Sequence, residues 1–421
     1  MIDKPYRTAL LGSAVLFIFA NGASAQICTE TVRVLAQPRD SLTLLETYKD
    51  EFKVLAGASF EFDYLNENDR RAKSRAEAAT TGKYNVYYID EANVALFAES
   101  KWIVPLLDYY PADADYDDFD AGRKKVASYN GVTYFSPIQG GGDLLYYRKD
   151  ILEKAGITPP KTLEEYEAAL AKLNDPAKGF YGTALRGGRG SGANVWRWMT
   201  YFKAFGGEWF VDGKPAFNSD AALKATETYL RLFQYSAPGT QTGSWTEVTE
   251  AFNSGNVAMI IESSPLAGQT EDPKQSSVAG KVGYTVPPRP LVGGGYGHGL
   301  AIGAKANADD ASRKCAGAFI AWATSKQNEE RRLEQGIFGD INRTSVINSE
   351  AFKKKYGAEI GNALNETAQY TDVNFWVNAD WPDLGDRWGI ILEELITGTR
   401  TDIKGGLDEL EAYADKLIAR R

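Results

Sequence analysis

The sequence NVYYIDEANVALFAES, residues 85–100, begins with an apolar run that ends in a carboxylate at Asp90 and continues in a helix-like pattern from Glu91. A buried strand that leads directly into a helix is typical of a sheet whose strands are joined by helices. Two similar units precede it, with strand patterns at Thr31–Leu35 and Ser59–Leu65, each followed by a helical pattern. This alternation predicts a parallel sheet with right-handed crossovers.

Polar residues follow each of these three predicted strands. Ligands of open parallel sheets bind at the carboxyl ends of the strands, and the polar residues there are Gln37, Arg39, Asp40, Glu67, Asn68 and Asp90. We expect Arg39, Asp40, Glu67 and Asp90 to bind ligand. Asp90 has an alternative role as the N-cap of the helix that begins at Glu91, and both roles stay open.

The start of the chain has the pattern of a secretory signal peptide over residues 1–25. Lys4 and Arg7 precede an apolar run at Ala9–Ala20, and Ala23–Ala25 supplies a small-residue cleavage site before Gln26. The apolar run is shorter than the ~20 residues that span a membrane. We therefore expect a periplasmic protein with no direct membrane insertion.

The cysteines, Cys28 and Cys315, lie far apart in the sequence. The residues before Cys28 lack the pattern of a lipidated cysteine, which favours a free protein over a lipoprotein. In an oxidising compartment the two cysteines can form one disulfide. The alternative of two unpaired thiols stays open.

Composition narrows the choice of fold and function. Removing 25 residues from 421 leaves 396, which exceeds the usual ~100–200 residues of one domain and favours two lobes. The net charge of −9 argues against nucleic acid or an anionic membrane surface as partner. His298 is the only histidine, so a zinc site built from histidines is excluded, and a Ser-His-Asp triad would require His298. We expect no metal.

The glycine-rich sequence TALRGGRGSGANVWRWMTYF, residues 183–202, fits the loose dinucleotide pattern G-x-G-x-x-A from Gly188. A cofactor site of this kind is followed by a strand that ends in an acidic residue about 20 positions on. Here a hairpin-like EWFVDGKPAFNS follows instead, and no Lys-Ser/Thr follows Gly192. We therefore expect no cofactor, and we expect the loop to bring backbone N–H groups, including that of Gly192, close to a ligand.

A resemblance to a known family emerges from residues 134–173, YFSPIQGGGDLLYYRKDILEKAGITPPKTLEEYEAALAKL. This run resembles the middle of extracellular solute-binding proteins of family 1, the maltose-binding-protein-like subunits of ABC importers. Further matches, in the expected order, are GTALRGGRGSGANVW, FNSGNVAMIIESSPLAG, EDPKQSSVAGKVG and AWATSKQNEERRLEQG. Their combination looks most like the branch that binds sugars and polyols. Leu163 departs from the family, which usually has Trp there.

The resemblance implies an α/β, two-lobed periplasmic binding protein fold (type II) with ligand in the interlobe cleft and a helical C-terminal tail. The N-terminal lobe would comprise residues 26–139 and 296–340, and the C-terminal lobe residues 140–295 and 341–421. Crossovers would lie near 139–143, 293–298 and 338–345. The implied function is capture of a carbohydrate, polyol or sugar derivative by hinge closure and delivery to a membrane permease, by a monomer without catalytic residues.

Sugar recognition needs flat aromatic faces and planar polar groups. The aromatic candidates are Trp196, Trp245, Trp376 and Trp381, each of which has a core role as its alternative. The polar candidates are Gln139, Glu262, Ser263, Tyr296, His298 and Arg343. Arg343 has an ion pair with Asp340 as its alternative. If Arg39 and Arg343 both face the cleft, an acidic ligand is indicated.

Two other functions remain open from the sequence. A secreted glycosidase or lyase would need two carboxylates about 5–9.5 Å apart, and the sequence places no such pair on one strand end. A binding protein for a non-sugar solute, such as an amino-acid conjugate, a sugar acid or a polyamine, is also compatible with the charge.

Overall fold

A computed structural model describes residues 27–190, 193–291, 293–369, 371–372 and 378–419. The predicted leader, Gly192 and Trp376 therefore lie outside the described residues. The strands are β1 Val32–Ala36, β2 Phe60–Tyr64, β3 Val86–Asp90, β4 Ser128–Tyr129, β5 Val132–Thr133, β6 Phe135–Gly141, β7 Asp143–Arg148, β8 Phe210–Val211, β9 Lys214–Pro215, β10 Met259–Ser263, β11 Val282–Thr285, β12 Gly293–Gly294, β13 Tyr296–Ile302 and β14 Thr371–Asp372.

Helices surround the two larger sheets. They are α1 Asp40–Glu46, α2 Lys49–Ala56, α3 Glu67–Ala79, α4 Glu91–Glu99, α5 Ala121–Val126, α6 Lys149–Ala155, α7 Leu163–Leu173, α8 Asn194–Ala204, α9 Asp220–Leu232, α10 Trp245–Asn253, α11 Ala267–Thr270, α12 Asp310–Ala323, α13 Lys326–Gln335, α14 Thr344–Ile347, α15 Glu350–Tyr356, α16 Ala358–Ala368, α17 Trp381–Ile396 and α18 Ile403–Ile418. Within the described ranges, no helix has the length and apolar character needed to cross a membrane.

The first lobe is built on a five-stranded sheet of order β2-β1-β3-β13-β6. β1 pairs in parallel with β2 and β3, as the alternating pattern of strands and helices predicts. β13 returns from much later in the chain and runs antiparallel to β3 and β6. The insertion of β13 places His298 directly opposite Asp90 on one side and Gln139 on the other. Residues distant in sequence therefore meet at one edge of the sheet.

The second lobe contains a three-stranded antiparallel sheet of order β10-β7-β11. The chain leaves the first sheet at the end of β6, and after Gly142 it enters the second sheet as β7. It returns to the first sheet between β11 and β13. The C-terminal helices α17 and α18 pack on α8 and α9 of the second lobe.

Tryptophans fill much of the core of the second lobe. Trp198 packs edge-to-face on Trp388 with ring centroids 5.0 Å apart, and Trp381 packs on Trp209 with centroids 4.9 Å apart. Trp381 is 1 % exposed. The sequence predicted Trp381 to be a ligand contact in a polar loop, and this prediction is wrong because α17 begins at Trp381 and turns the ring into the core.

A disulfide joins Cys28 to Cys315. It connects the segment before β1 to α12, which also packs on α2 and β13. Both cysteines lie in a buried cluster with Phe52, Phe60 and Phe319. The bond therefore closes the side of the first lobe that faces away from the carboxyl ends of β1 to β3.

The glycine-rich loop packs against backbone on its second-lobe side. A Cβ at Gly187 would lie 2.2 Å from the carbonyl oxygen of Gln241, so this position has no room for a side chain. The N–H of Arg189 donates to Glu393 of α17 at 2.7 Å, and the Nε of the same arginine donates to that carboxylate at 2.9 Å. These contacts fix the loop between α17 and the segment before α10.

Candidate ligand-binding cleft

A cavity of about 340 Å³ lies between the two lobes. The first lobe lines it with residues from the carboxyl ends of its strands and the helices that follow, and the second lobe closes it from α8, α10 and the segment after β10. The residues that line it are Gln37, Pro38, Arg39, Asp40, Glu67, Arg71, Glu91, Ala92, Gln139, Arg186, Trp196, Trp245, Ser263, Pro265, Leu266, Gln269, Tyr296 and His298. Its position is the one expected for a ligand of a parallel sheet.

The structure brings together most of the residues predicted from the sequence. Those that line the cavity are Arg39, Asp40, Glu67, Gln139, Trp196, Trp245, Ser263, Tyr296 and His298. Four of them precede Gly142 and five follow it, so no local pattern shows that they meet. The return of β13 to the first sheet and the two-lobed arrangement bring them together.

The cleft continues into a second chamber of about 770 Å³. The two chambers share Glu67, Arg71, Ala92 and Trp245. Its other walls include Gly188 and Gly190 of the glycine-rich loop and residues of α17. The glycine-rich loop therefore faces the interlobe cleft, as predicted from the sequence.

A chain of hydrogen bonds runs across the first-lobe wall. The hydroxyl of Tyr88 donates to Oε1 of Gln139 at 3.1 Å and lies 2.9 Å from Nδ1 of His298. The Nε2 of Gln139 donates to the hydroxyl of Tyr296 at 3.4 Å. These bonds hold a planar amide and an imidazole in fixed orientations at the cavity surface.

Two titratable groups at this wall are neutral near pH 7. Burial lowers the pKa of His298 to about 3, so the imidazole carries no charge. Burial, and then the charge of the adjacent Asp90, raise the pKa of Glu91 to about 8. Glu91 accepts a hydrogen bond from the N–H of Gly297 at 3.1 Å. Glu91 and His298 therefore offer polar atoms without net charge at this wall.

Each guanidinium that lines the cavity bonds a carboxylate of the protein. Arg39 donates to Asp340 from Nε at 3.3 Å and from Nη2 at 3.0 Å. Arg71 pairs with Glu67 at 2.7 Å and with Asp90. Arg186 pairs with Glu262 through its Nε at 2.7 Å and through its Nη2.

The carboxylate behind Arg186 belongs to a buried ion network. Glu262 also lies 3.7 Å from Arg197 of α8, whose guanidinium binds Asp143 of β7 at 2.8 and 3.0 Å. Burial alone would raise the pKa of Glu262, but attraction to Arg186 and Arg197 outweighs it and holds the pKa below its usual value. The network joins α8, β7 and β10 and fixes Arg186 at the cavity wall.

Two predicted ligand contacts lie behind the wall. Asp90 is 1 % exposed and pairs with Arg70 and Arg71. It occupies the N-cap position of α4, but its side chain makes no capping hydrogen bond. Glu262 is also 1 % exposed. The prediction that either carboxylate lines the ligand cavity is wrong, because burial requires each to bind arginines. One arginine partner of each, Arg71 for Asp90 and Arg186 for Glu262, lines the cavity instead.

Arg343 is a third correction. Its Nε donates to the carbonyl of Thr324 at 2.8 Å, and its terminal nitrogens donate to the carbonyls of Ala114 and Asp115 at 3.0 and 2.7 Å. The guanidinium lies over the ring of Phe119 and is outside the cavity. Its expected partner, Asp340, binds Arg39 instead. The pair of cleft-facing arginines that would indicate an acidic ligand is therefore not formed.

Several cavity residues were missed from the sequence, chiefly Arg71, Glu91, Arg186 and Gln269. Glu91 follows directly after the predicted strand that ends at Asp90, and Arg186 directly precedes the glycines of the glycine-rich loop, so the position of each in the sequence could have indicated it. Arg71 lies one helical turn after Glu67, on the same face of α3. Gln269 lies in a short helix that no local pattern distinguishes.

The aromatic side chains sit at two depths of the cavity. Trp196 packs edge-to-face on Tyr296 across the lobes, with ring centroids 5.6 Å apart. Trp245 begins α10 and is 39 % exposed at the rim, where both chambers meet. Both rings can present a face to C–H groups of a ligand.

In the described part of the chain, no group of three His, Cys, Asp or Glu side chains is placed to hold a metal ion.

Comparison with known proteins places this geometry among solute-binding proteins. A family model of bacterial extracellular solute-binding proteins matches residues 58–330. A mannitol-binding protein of Pseudomonas aeruginosa is 32% identical over 271 residues, which are 62% of this chain and 61% of that protein. An erythritol/L-threitol-binding protein of Mycolicibacterium smegmatis is 23% identical over 399 residues, 87% of this chain and 82% of that protein.

Solved structures agree with the fold. A solute-binding protein of Agrobacterium radiobacter in complex with ribitol has a TM-score of 0.82 and 27% identity, covering 93% of this chain and 100% of that one. A solute-binding protein of Agrobacterium vitis with bound D-mannitol has a TM-score of 0.81 and 24% identity, covering 93% and 99%. The similarity confirms the expected two-lobed α/β fold.

Proposed function

This chain belongs to the bacterial extracellular solute-binding proteins, and from that premise we propose that it is the periplasmic substrate-binding subunit of an ABC importer for a neutral, linear polyol. The proposal includes a cleaved leader over residues 1–25, action as a monomer and no catalytic step. The family and the relatives named above are binding proteins rather than enzymes.

The observation that carries the proposal is the charge balance of the cleft. Arg39, Arg71 and Arg186 already bind Asp340, Asp90 and Glu262. An anionic ligand would compete with these carboxylates for the same guanidiniums, and Asp40 and Glu67 at the cavity wall would repel it. A neutral ligand accepts hydrogen bonds from N–H groups that remain in position, at no cost in broken ion pairs.

The polar groups of the cavity suit a chain of hydroxyls. Guanidinium N–H groups and glutamine amides exchange hydrogen bonds with hydroxyls, and Arg186, Gln139 and Gln269 bring such groups to the cavity wall. The aromatic faces of Trp196 and Trp245 suit the C–H groups between the hydroxyls. This combination fits a polyol or a small sugar better than a polyamine, whose ammonium groups only donate hydrogen bonds and would lie beside the guanidiniums of Arg39, Arg71 and Arg186.

The relatives favour polyols among such ligands. The relatives with the names "mannitol-binding" and "erythritol/L-threitol-binding", and the structure with ribitol, all concern linear polyols. The matched segment spans 61% of the length of the mannitol-binding protein. The cleft of this chain therefore supports a neutral ligand with hydroxyl groups, and the names of the relatives favour polyols among such ligands.

Capture would occur by closure of the two lobes about the connections at Gly142 and before Tyr296. The cavity is lined by both lobes, so a ligand that contacts both stabilises the closed arrangement over the open one. Closure of this kind changes the surface that the protein presents to a membrane permease. In this proposal one lobe comprises residues 26–139 and 296–340, and the other comprises residues 140–295 and 341–421.

A thermal-shift screen of residues 26–421 tests the function. The panel contains D-mannitol, ribitol, erythritol, glucose, maltose, sugar acids and polyamines, and each compound is recovered afterwards and analysed by mass spectrometry. A ligand at one hundred times its Kd should stabilise the protein by about 2.7 kcal/mol. We expect stabilisation by a linear polyol that is recovered intact. Stabilisation only by a charged compound, or consumption of the ligand as a glycosidase or lyase would cause, contradicts the proposal.

A further inference from the structure

We propose that Glu91 and His298 together recognise one hydroxyl group of the ligand, with Glu91 protonated and donating to it and Nε2 of His298 accepting its proton. The inference rests on the proposed function and names the groups that give the site its preference for a hydroxyl at one carbon. Nothing in the similarity to known proteins assigns either residue this role.

The position of the two side chains supports a shared contact. Both line the interlobe cavity. Oε2 of Glu91 lies 3.9 Å from Nε2 of His298, too far for a direct hydrogen bond. One oxygen atom placed about 2.8 Å from each would bridge them with ordinary hydrogen-bond lengths. The gap therefore has the size for a single hydroxyl.

The hydrogen-bond chain favours Nε2 of His298 as the acceptor nitrogen. The hydroxyl of Tyr88 donates its one proton to Oε1 of Gln139. The oxygen of Tyr88, 2.9 Å from Nδ1 of His298, is then left to accept a proton from that nitrogen. A neutral imidazole with the proton on Nδ1 has its lone pair on Nε2. That lone pair is on the side of Glu91.

The surroundings of Glu91 favour its protonated form. Asp90, which is adjacent and fully buried, bears a negative charge held by Arg70 and Arg71. Burial and the charge of Asp90 raise the pKa of Glu91 to about 8, against the N–H groups and Arg71, which act in the opposite direction. Asp90 of β3, Arg71 of α3, and Tyr296 and His298 of β13 interact with Glu91 by charge or proximity. The other charged residues of the same cavity are Arg39, Asp40, Glu67 and Arg186.

A donor on one side and an acceptor on the other make a specific receptor. A hydroxyl can accept one hydrogen bond and donate another, whereas an ammonium only donates and a carboxylate only accepts. A deoxy ligand would leave both buried partners unpaired, which is the arrangement that gives strong discrimination. The pair therefore selects against acidic and deoxy analogues at this carbon.

The test is calorimetric titration of D-mannitol and ribitol into residues 26–421 between pH 6 and pH 9.5. Because the bound state needs the proton of Glu91, Kd should be flat below pH 7 and rise up to about tenfold per pH unit above pH 8. Glu91→Gln keeps a donor and loses the ionisation, so its affinity should stay near that of the wild type at pH 7 and be flat across the range. Glu91→Ala should weaken binding by about 10- to 100-fold at pH 7.

Two controls separate this inference from a structural role and from the proposed function. Glu99→Gln, at the far end of α4, should leave both affinity and pH profile unchanged. A deoxy polyol should bind the wild type and Glu91→Ala with similar affinity, which a general loss of structure would not produce. A polyol Kd that is independent of pH in the wild type overturns the inference and leaves the function intact. Absence of binding by every polyol at every pH overturns the function itself.

Discussion

Trp245 and Trp381 occupy equivalent positions in the sequence, each at the first residue of a helix that follows polar residues. Their surroundings differ completely, since Trp245 is 39 % exposed at the cleft rim and Trp381 is 1 % exposed against Trp209. The hydrophobic pattern of α17 turns Trp381 inward, together with Leu384 and Trp388. The residues around the two tryptophans are similarly polar in sequence, so their polarity does not indicate which ring contacts a ligand.

Alanine substitutions at these two positions should have opposite effects. Trp381→Ala should lower the free energy of unfolding by about 3–5 kcal/mol because it opens a cavity in the tryptophan core. Trp245→Ala should change it by about 0.5 kcal/mol and weaken polyol binding roughly three- to tenfold through loss of an aromatic face. Urea denaturation and calorimetry measure the two quantities. A large loss of stability in Trp245→Ala would show that its exposed ring is structural.

The arginines show where residue-level prediction from sequence succeeds and fails. Arg39 was expected in the cleft because it follows β1, and it lies there. Arg343 was expected there too, but its guanidinium binds backbone carbonyls of a segment more than 200 positions earlier. Each of these arginines has an aspartate close to it in the sequence. The fold determines that Asp340 pairs with Arg39.

At the scale of elements, the buried ion network connects the first strand after the crossover to the cavity. Asp143 begins β7, Glu262 lies near the end of β10, and Arg197 of α8 binds both. Arg186 extends the network to the cavity surface. The sequence made Glu262 a candidate ligand contact, but no local pattern indicates that it pairs with arginines that are distant in the chain.

Removal of Glu262 tests this network. Glu262→Ala leaves Arg186 without its carboxylate, so it should lower the free energy of unfolding by about 3–5 kcal/mol and also weaken polyol binding. Glu167→Ala is the matched control, because it breaks the partly exposed pair with Arg231 and should cost no more than about 1 kcal/mol. The readouts are urea denaturation and calorimetry. Equal effects of the two substitutions would mean that burial does not strengthen the network.

The disulfide acts on another element, the connection between the start of the chain and α12. A Cys28→Ser/Cys315→Ser variant releases a long loop in the unfolded chain and should lose about 2–4 kcal/mol of stability. Its polyol affinity should be unchanged, because Cys28 precedes β1 and the cleft lies at the opposite end of that strand. Denaturation and titration of the variant provide the comparison. A weakened affinity would show that the bond also positions cleft residues.

At the scale of the whole molecule, the periodicity of residues 31–100 was enough to predict the parallel core of the first sheet, and β1, β2 and β3 form it. The antiparallel entry of β13 between β3 and β6 was not predictable in this way. Pairing between residues 200 positions apart depends on the closure of the whole sheet. The same closure assembles His298, Gln139 and Glu91 into one wall of the cleft.

Under the proposed function, the paired arginines and the neutral polar groups of the cleft bind an uncharged polyol. Calorimetric titration of residues 26–421 with D-mannitol and ribitol, alongside sugar acids of the same chain lengths, tests it most directly. We expect one polyol molecule to bind per chain and the matching acid to bind at least about 100-fold more weakly, because the acid meets guanidiniums that already have carboxylate partners. Tighter binding of the acid, or no heat from any polyol, would contradict it.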